Sequence, residues 1–221
     1  MPNAQTAPAT VAAPYDVKRE LRELYAPKNR DWQTLVVPPQ RFLAVEGHGD
    51  PNTSPAYAEA VEALYAVAYT VKFASKRAGR DLVVGPLERL WYADDASVFS
   101  AREKDAWSWT MLISQPDWVS DADVGEAIAS ARAKAAAKKK PLPALDRVRI
   151  EALDEGLSEQ VLHVGSYDDE TPVLARLHGE LLPAAGLRER GRHHEVYLGD
   201  PRRTAPEKLR TVLRQPVSAA N

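Results

Sequence analysis

A chain of 221 residues with 44% hydrophobic content can bury a sizeable core, either as one domain or as two fused halves. Its formal net charge of −2 gives no global pull toward nucleic acid or an acidic membrane, and the absence of cysteine excludes disulfides, thiolate nucleophiles and Cys-ligated metals. No apolar run approaches the ~18 residues of a membrane span and no signal-peptide pattern opens the chain, so a soluble cytoplasmic protein is expected.

Residues 1–15, rich in Ala, Pro and Thr, read as a disordered lead-in. Residues 16–25 predict a short charged helix with Val17, Leu21 and Leu24 at helical spacing, ended by Pro27. Thr34–Val37 reads as an edge strand stopped by Pro38-Pro39, and a strand over 41–48 leads to the turn Gly49-Asp50-Pro51-Asn52. A helix from Pro55 to about Ala78 carries Tyr57, Val61, Leu64, Tyr65, Ala68 and Val71 as one apolar stripe, with Gly79 as its C-cap. A strand over 82–93, a loop at Asp94–Ser97 and a strand from Ala106 to Ser114 follow. The last of these puts Trp107, Trp109, Met111 and Ile113 on one face. A helix spans 121–139, and strands over 146–154 and 158–166 meet at a hairpin turn around Glu155-Gly156. After a helix over 172–185, the strand 193–199 has Val196 and Leu198 on one face and Glu195 and Tyr197 on the other, and a short helix begins at Pro206. Adjacent strands joined by short turns argue an α+β fold: an antiparallel sheet with helices on one face and the other face free.

The two halves share one plan. FLAVEGHGD (42–50) precedes Ser54-Pro55 and a helix; QVLHVGSYDD (160–169) precedes Thr171-Pro172 and a helix, each with a hydroxyl N-cap before proline. Each helix leads to a strand closed by an aspartate, Asp94 or Asp200, 106 residues apart. Aligning the aspartates sets Trp91 against Tyr197 and Arg89 against Glu195, which predicts a duplication with copies over about 35–120 and 121–217.

The candidate chemistry gathers on the aromatics and one carboxylate. Trp91, Phe99, Trp107 and Trp109 fall close together, and flat apolar walls beside Glu195 suit a planar ligand, often a cation. Plain core packing explains any one of these rings, and a salt bridge to Arg192 or Arg89 explains Glu195. In an aromatic pocket, burial would raise the Glu195 pKa and make it a general base or acid. The five histidines lack ligand spacing, so no metal is expected, and no cofactor loop is present. DPRR (200–203) and Lys138–Lys140 read as solvated charges, and Asp168-Asp169-Glu170 as complementing a helix dipole.

At VGPLERLWYADD, WSWTMLISQPDWV, HVGSYDDETPVLARLH and HHEVYLGDPRRTAPEKLRTVLRQPV the chain resembles the GyrI-like small-molecule-binding family, in its stand-alone members. That resemblance implies tandem SHS2-type modules related by a pseudo-two-fold, forming a curved eight-stranded sheet with a cleft between the halves. It puts Glu195 in the acidic position of sites that hold lipophilic cations. One similar subfamily hydrolyses the cyclopropane of DNA-alkylating cyclopropanoids inside an aromatic cage. Here the cage would be drawn from Trp91, Phe99, Trp107, Trp109, Tyr167 and Tyr197, with Glu195 acting on water and Tyr167 or Tyr197 protonating the conjugated carbonyl. The implied partner is a planar hydrophobic small molecule, with no nucleic acid or membrane, bound by a monomer or weak dimer. A non-catalytic binder that sequesters or senses xenobiotics is the alternative.

Overall fold

The computed structural model describes residues 13–28, 30–94, 98, 101 and 103–220. Its strands are β1 (Gln33–Val37), β2 (Gln40–His48), β3 (Leu87–Tyr92), β4 (Ser108–Gln115), β5 (Arg149–Leu153), β6 (Gly156–Val164), β7 (Leu187–Glu189), β8 (His193–Tyr197) and β9 (Arg210–Ala219). The helices are α1 (Val17–Glu20), α2 (Arg22–Tyr25), α3 (Pro55–Arg77), α4 (Asp121–Ala137), α5 (Glu170–Arg176) and α6 (Leu182–Ala184). Among the described residues no helix is long and apolar enough to cross a membrane.

All pairings within the sheet are antiparallel, in the order β1-β6-β9-β8-β3-β4-β2-β5, with β7 added to β9. The fold is therefore α+β, as the pattern of strands and helices predicts. The hairpin expected at Glu155-Gly156 is not one: β5 pairs with β2, while β6 pairs with β1 and β9. Gly156 supplies the turn with φ of +56°, and Glu155 is drawn into the interior, 2% exposed, instead of standing at a solvent loop.

This connectivity dictates the sheet's shape. Two residues link β5 to β6, although six strand steps separate them along the sheet, about 29 Å if it were flat. Two residues reach only about 10 Å, so the sheet must curl until its edges approach. The ring contacts agree: Phe42 on β2 and His194 on β8, three strands apart, have centroids 6.2 Å from each other. Phe42, Ala44, Leu90, Leu112, Glu88 and His194 thus line the inside of the curl.

That inner face is not free, contrary to the expectation from sequence. Here α1 and α2 plug it, with Val17, Leu24 and Tyr25 packed on Leu162, Val196 and Val212. The single helix expected at 16–25 is broken at Leu21, which lets the chain turn into the curl. Its anchor begins inside the expected lead-in: the Tyr15 N–H donates to Asp81 O at 3.0 Å and its ring meets Trp118 edge-on at 5.3 Å.

The outer face carries the long helices. Leu43, Val45, Met111 and Ile113 pack against Ala60, Leu64, Val67 and Val71 of α3 and Val124, Ala127 and Ala131 of α4. Ser120 and Asp123 form a capping box that starts α4. Ser54 precedes α3 without a side-chain cap bond, and Gly79, with φ of +83°, takes the chain off its end. The second half departs from the predicted cap: α5 begins at Glu170, after a turn capped by Ser166 and Asp169, so Thr171-Pro172 lies within its first turn. Read outward from the β3–β8 pair, the order is β3-β4-β2-β5 on one side and β8-β9-β6-β1 on the other. The register pairs Arg89 with Glu195, the two residues that the 106-residue offset aligns, so the approximate two-fold passes between them. Across that axis the halves exchange edge strands: β1 joins β6 and β5 joins β2.

Candidate functional site

Strand alternation decides what meets at the axis. On β8, His193, Glu195 and Tyr197 face outward beneath the helices, while His194 and Val196 face the interior of the curl. On β3, Arg89 and Trp91 share that outer face, paired in register with Glu195 and His193. Tyr57 descends from the first turn of α3, and Tyr167 and Glu170 come from the turn that opens α5. Thr211 is the β9 partner of Tyr197.

Rings close around one cation. The Arg89 Cζ lies 4.1 Å from the centre of the Tyr197 ring, 5.0 Å from that of Tyr57 and 5.0 Å from that of Trp91. Trp107 meets Trp91 edge-on at 5.3 Å, and Tyr167 meets Tyr197 edge-on at 5.5 Å. Trp109 lies deeper: fully buried, it packs edge-on to Tyr57 at 5.3 Å and donates from Nε1 to Gly49 O at 3.2 Å. Its indole covers Gly47, where an added Cβ would fall 2.0 Å from the Trp109 Cη2, so the wall and the glycine require each other. Phe99 lies outside the described residues.

Two buried carboxyls flank this cage and are driven to opposite protonation states. Burial pushes Glu195 upward, as sequence reasoning expects, but its partners overturn that. His193 Nε2 stands 3.6 Å from Oε1, Arg89 is its cross-strand neighbour and the Tyr197 hydroxyl donates to Oε2, which together hold it down at about 2. Arg192, a candidate salt-bridge partner from sequence, instead pairs with Glu151 and donates to Thr110 at 3.1 Å. Glu170 is raised to about 9, first by burial and then by the charge on Glu195. The Thr211 hydroxyl beside it tempers the rise, while the Glu170 Oε1 has no hydrogen-bond partner among the described residues. Burial also lifts the Tyr197 and Tyr57 hydroxyls, Tyr57 to about 12, so both stay protonated. Among the described residues the Arg89 Nε and the His193 Nδ1 are likewise buried with no hydrogen-bond partner, while the His193 Nε2 has only its 3.6 Å ion-pair contact with Glu195. Unpaired polar atoms are rare in protein interiors, and their gathering here makes this cluster the candidate site.

Comparison with known proteins settles the relationship. The model of the GyrI-like small-molecule-binding domain matches residues 33–218. The chain belongs to this family. Among solved structures, the GyrI-like chain is 38% identical to an uncharacterized conserved protein from Listeria innocua, covering 92% of this chain and 100% of that one with a TM-score of 0.82. It is also 38% identical to a hydrolase from Listeria innocua, covering 93% and 100%, with a TM-score of 0.80. The C-terminal domain of EcmrR shares the fold at 8% identity, covering 86% of this chain and 98% of that one, with a TM-score of 0.53. No curated protein matches the chain.

The other face of this GyrI-like sheet holds the most heavily charged interior. Tyr25 donates to Glu88 at 3.0 Å; His194 bridges Glu88 at 3.0 Å and Glu155 at 2.9 Å; Arg214 reaches Glu155 at 2.9 Å and Gln160 at 3.0 Å. Burial opposes the His194 charge, but Glu155 and Glu88 raise its pKa to about 9, and His194 and Arg214 hold Glu155 down at about 2 against its own burial. An open pocket of about 200 Å³ adjoins this network, lined by Leu90, Leu153, Glu155, Arg190, Arg192 and Pro216. Its charged groups are engaged: Glu155 with His194 and Arg214, Arg190 with the Glu155 carbonyl, and Arg192 with Glu151 and Thr110. The outer cluster, where partners are missing, is therefore the better candidate despite being more closely packed. Sequence reasoning missed Tyr57, Glu170 and Thr211. Tyr57 reads as one member of a helical core stripe, and Glu170 as the third of three acidic residues before a helix; nothing local shows that the turn at Gly165 aims it inward.

Proposed function

We propose that the protein binds a planar, hydrophobic small molecule against Trp91, Trp107, Tyr57 and Tyr197, with Trp109 backing the wall, and opens the ring of cyclopropanoid compounds by adding water. The observation that carries this reading is the pair of buried carboxyls beside aromatic walls, Glu195 drawn down by His193, Arg89 and Tyr197 and Glu170 driven up by burial and the Glu195 charge. Environments that push two carboxyl pKa values apart assign an acid and a base at neutral pH. The 38% identity to a Listeria innocua hydrolase supports the same direction.

In this mechanism Glu170 donates its proton to the conjugated carbonyl oxygen as the strained carbon–carbon bond breaks. Water attacks the released carbon, forming a carbon–oxygen bond, and its surplus proton passes to Glu195; transfer from Glu195 to Glu170 restores the starting state. With a pKa of about 2, Glu195 is a weak base, so its main contribution is electrostatic. The carboxylate holds the water and stabilises the positive charge that develops on it. Tyr197 fixes the carboxylate through its hydroxyl, and Tyr167, 36% exposed, packs edge-on against Tyr197.

The test is Glu195→Gln, which keeps shape but removes charge. Product formation from a cyclopropanoid, followed by mass spectrometry, is expected to fall by about 10²-fold or more. Binding of a neutral planar ligand, followed by fluorescence quenching, is expected to change little. Binding without turnover in the wild type would replace the hydrolase reading with that of a sequestering or sensing protein.

A further inference from the structure

The aromatic cage is already occupied by a cation that the chain itself supplies. Three rings face the Arg89 guanidinium at 4.1–5.0 Å, so the cation–π capacity of Tyr57, Trp91 and Tyr197 is engaged internally. The carboxylate that would attract a ligand cation, Glu195, is likewise answered, by Arg89 across the strand pair and by His193. Its sequence neighbourhood leaves the guanidinium little choice, since β3 alternation puts Arg89 on the face of the cage and the register sets it at the axis. What remains unsatisfied is a donor: the Arg89 Nε is buried with no acceptor among the described residues.

We infer that Arg89 is the specificity-determining residue of the site, excluding cationic ligands and selecting neutral planar aromatics that carry an oxygen acceptor such as a conjugated carbonyl. An incoming cation would meet a buried like charge and rings already stacked. A carbonyl oxygen placed near Arg89 would instead accept the orphaned N–H, and the guanidinium, flat and delocalised, could stack beneath the ligand plane. This inference rests on the cage being the ligand site but not on turnover.

Matched tricyclic probes test it: acridone, neutral with a carbonyl, and N-methylacridinium, a planar cation of nearly the same outline. Titration with wild type is expected to favour acridone by about ten-fold or more, the equivalent of one modest electrostatic interaction. In Arg89→Met, which keeps length and apolar bulk, acridone should weaken and N-methylacridinium tighten, so that the preference is lost or reversed. Arg89→Lys retains the charge without the planar fork. It should still reject the cation while losing most of the acridone affinity. Thermal melts confirm that each variant is folded; if the Met variant is not, the wild-type ratio and the Lys variant decide. Equal binding of both probes by wild type, an unchanged ratio in a folded Arg89→Met protein, or no binding of either probe up to its solubility limit would overturn the inference. Cyclopropanoid turnover measured on the same samples separates this outcome from failure of the hydrolase reading, since ring opening can be absent while the binding preference stands.

Discussion

Glu170→Gln should make the protein more stable while making it a poorer catalyst. A carboxyl whose folded-state pKa lies near 9, against an ordinary value of 4.5, binds its proton more tightly in the folded state. Its favourable contribution is complete below pH 4.5 and is lost progressively as pH rises through about 9. At pH 7 the unfolded chain releases this proton and the folded chain keeps it. The difference of 2.5 pH units at 1.36 kcal/mol each is a cost of about 3 kcal/mol to folding. Glutamine mimics the protonated acid without paying that cost, so the variant should gain about 3 kcal/mol at pH 7, roughly 6–12 °C in Tm for a chain of this size. At pH 5 the gain should shrink below about 1 kcal/mol. Urea and thermal melts of both proteins at pH 5, 7 and 8 measure the difference, in which contributions from groups distant from the site cancel. A variant no more stable than wild type at pH 8, or a gap that does not widen with pH, would refute the claim that Glu170 is held protonated. Turnover assayed alongside should fall, because the amide cannot donate the proton.

Two further perturbations probe the supporting structure. His194→Ala leaves Glu88 with only the Tyr25 hydroxyl and Glu155 with Arg214 as its one cationic partner inside the curl, and should cost about 3–5 kcal/mol in urea denaturation at pH 6. The His194 contribution is complete below its ordinary pKa of 6.5 and disappears as pH rises through about 9, so the gap to wild type should narrow at pH 9.5; a constant gap would show that the ring is not charged. Gly47→Ala drives a methyl into the Trp109 indole, 2.0 Å from Cη2, and should destabilise by about 1–3 kcal/mol or more, with a change in tryptophan fluorescence. An unaltered melting curve would mean that the wall readjusts freely.

The centre of the site was more legible in the sequence than its rim. The 106-residue offset aligns Arg89 with Glu195 and Trp91 with Tyr197; the register pairs the first two, but sets Trp91 against His193 and Tyr197 against Leu87. Period-two alternation likewise separates Glu195 and Tyr197 from Val196. Strand partners were not legible: β5 and β6 look like a hairpin because local turn chemistry cannot report that the strands pair six positions apart. β9 was missed for a different reason. Its inward residues include Arg214, fully buried, and a charge in the alternation disguises a central strand as a surface one. Glu170 reads as a complement to the helix dipole, since an acidic residue before a helix looks the same whether it points to water or into a cage.

The exchange of edge strands has a consequence for how this chain is made. Gln33 of β1 pairs with Gln160 of β6, so once β1 leaves the ribosome it waits for well over a hundred residues before its neighbour exists. At about 5–20 residues per second that interval lasts on the order of ten seconds. Throughout it β1 is a bare strand with both hydrogen-bonding edges open and Val36 on show, a template for intermolecular pairing. Pro38-Pro39 directly follows it, and neither residue has an N–H to extend a foreign ladder. The same two prolines that turn the nascent strand toward its distant partner also guard it from the wrong one.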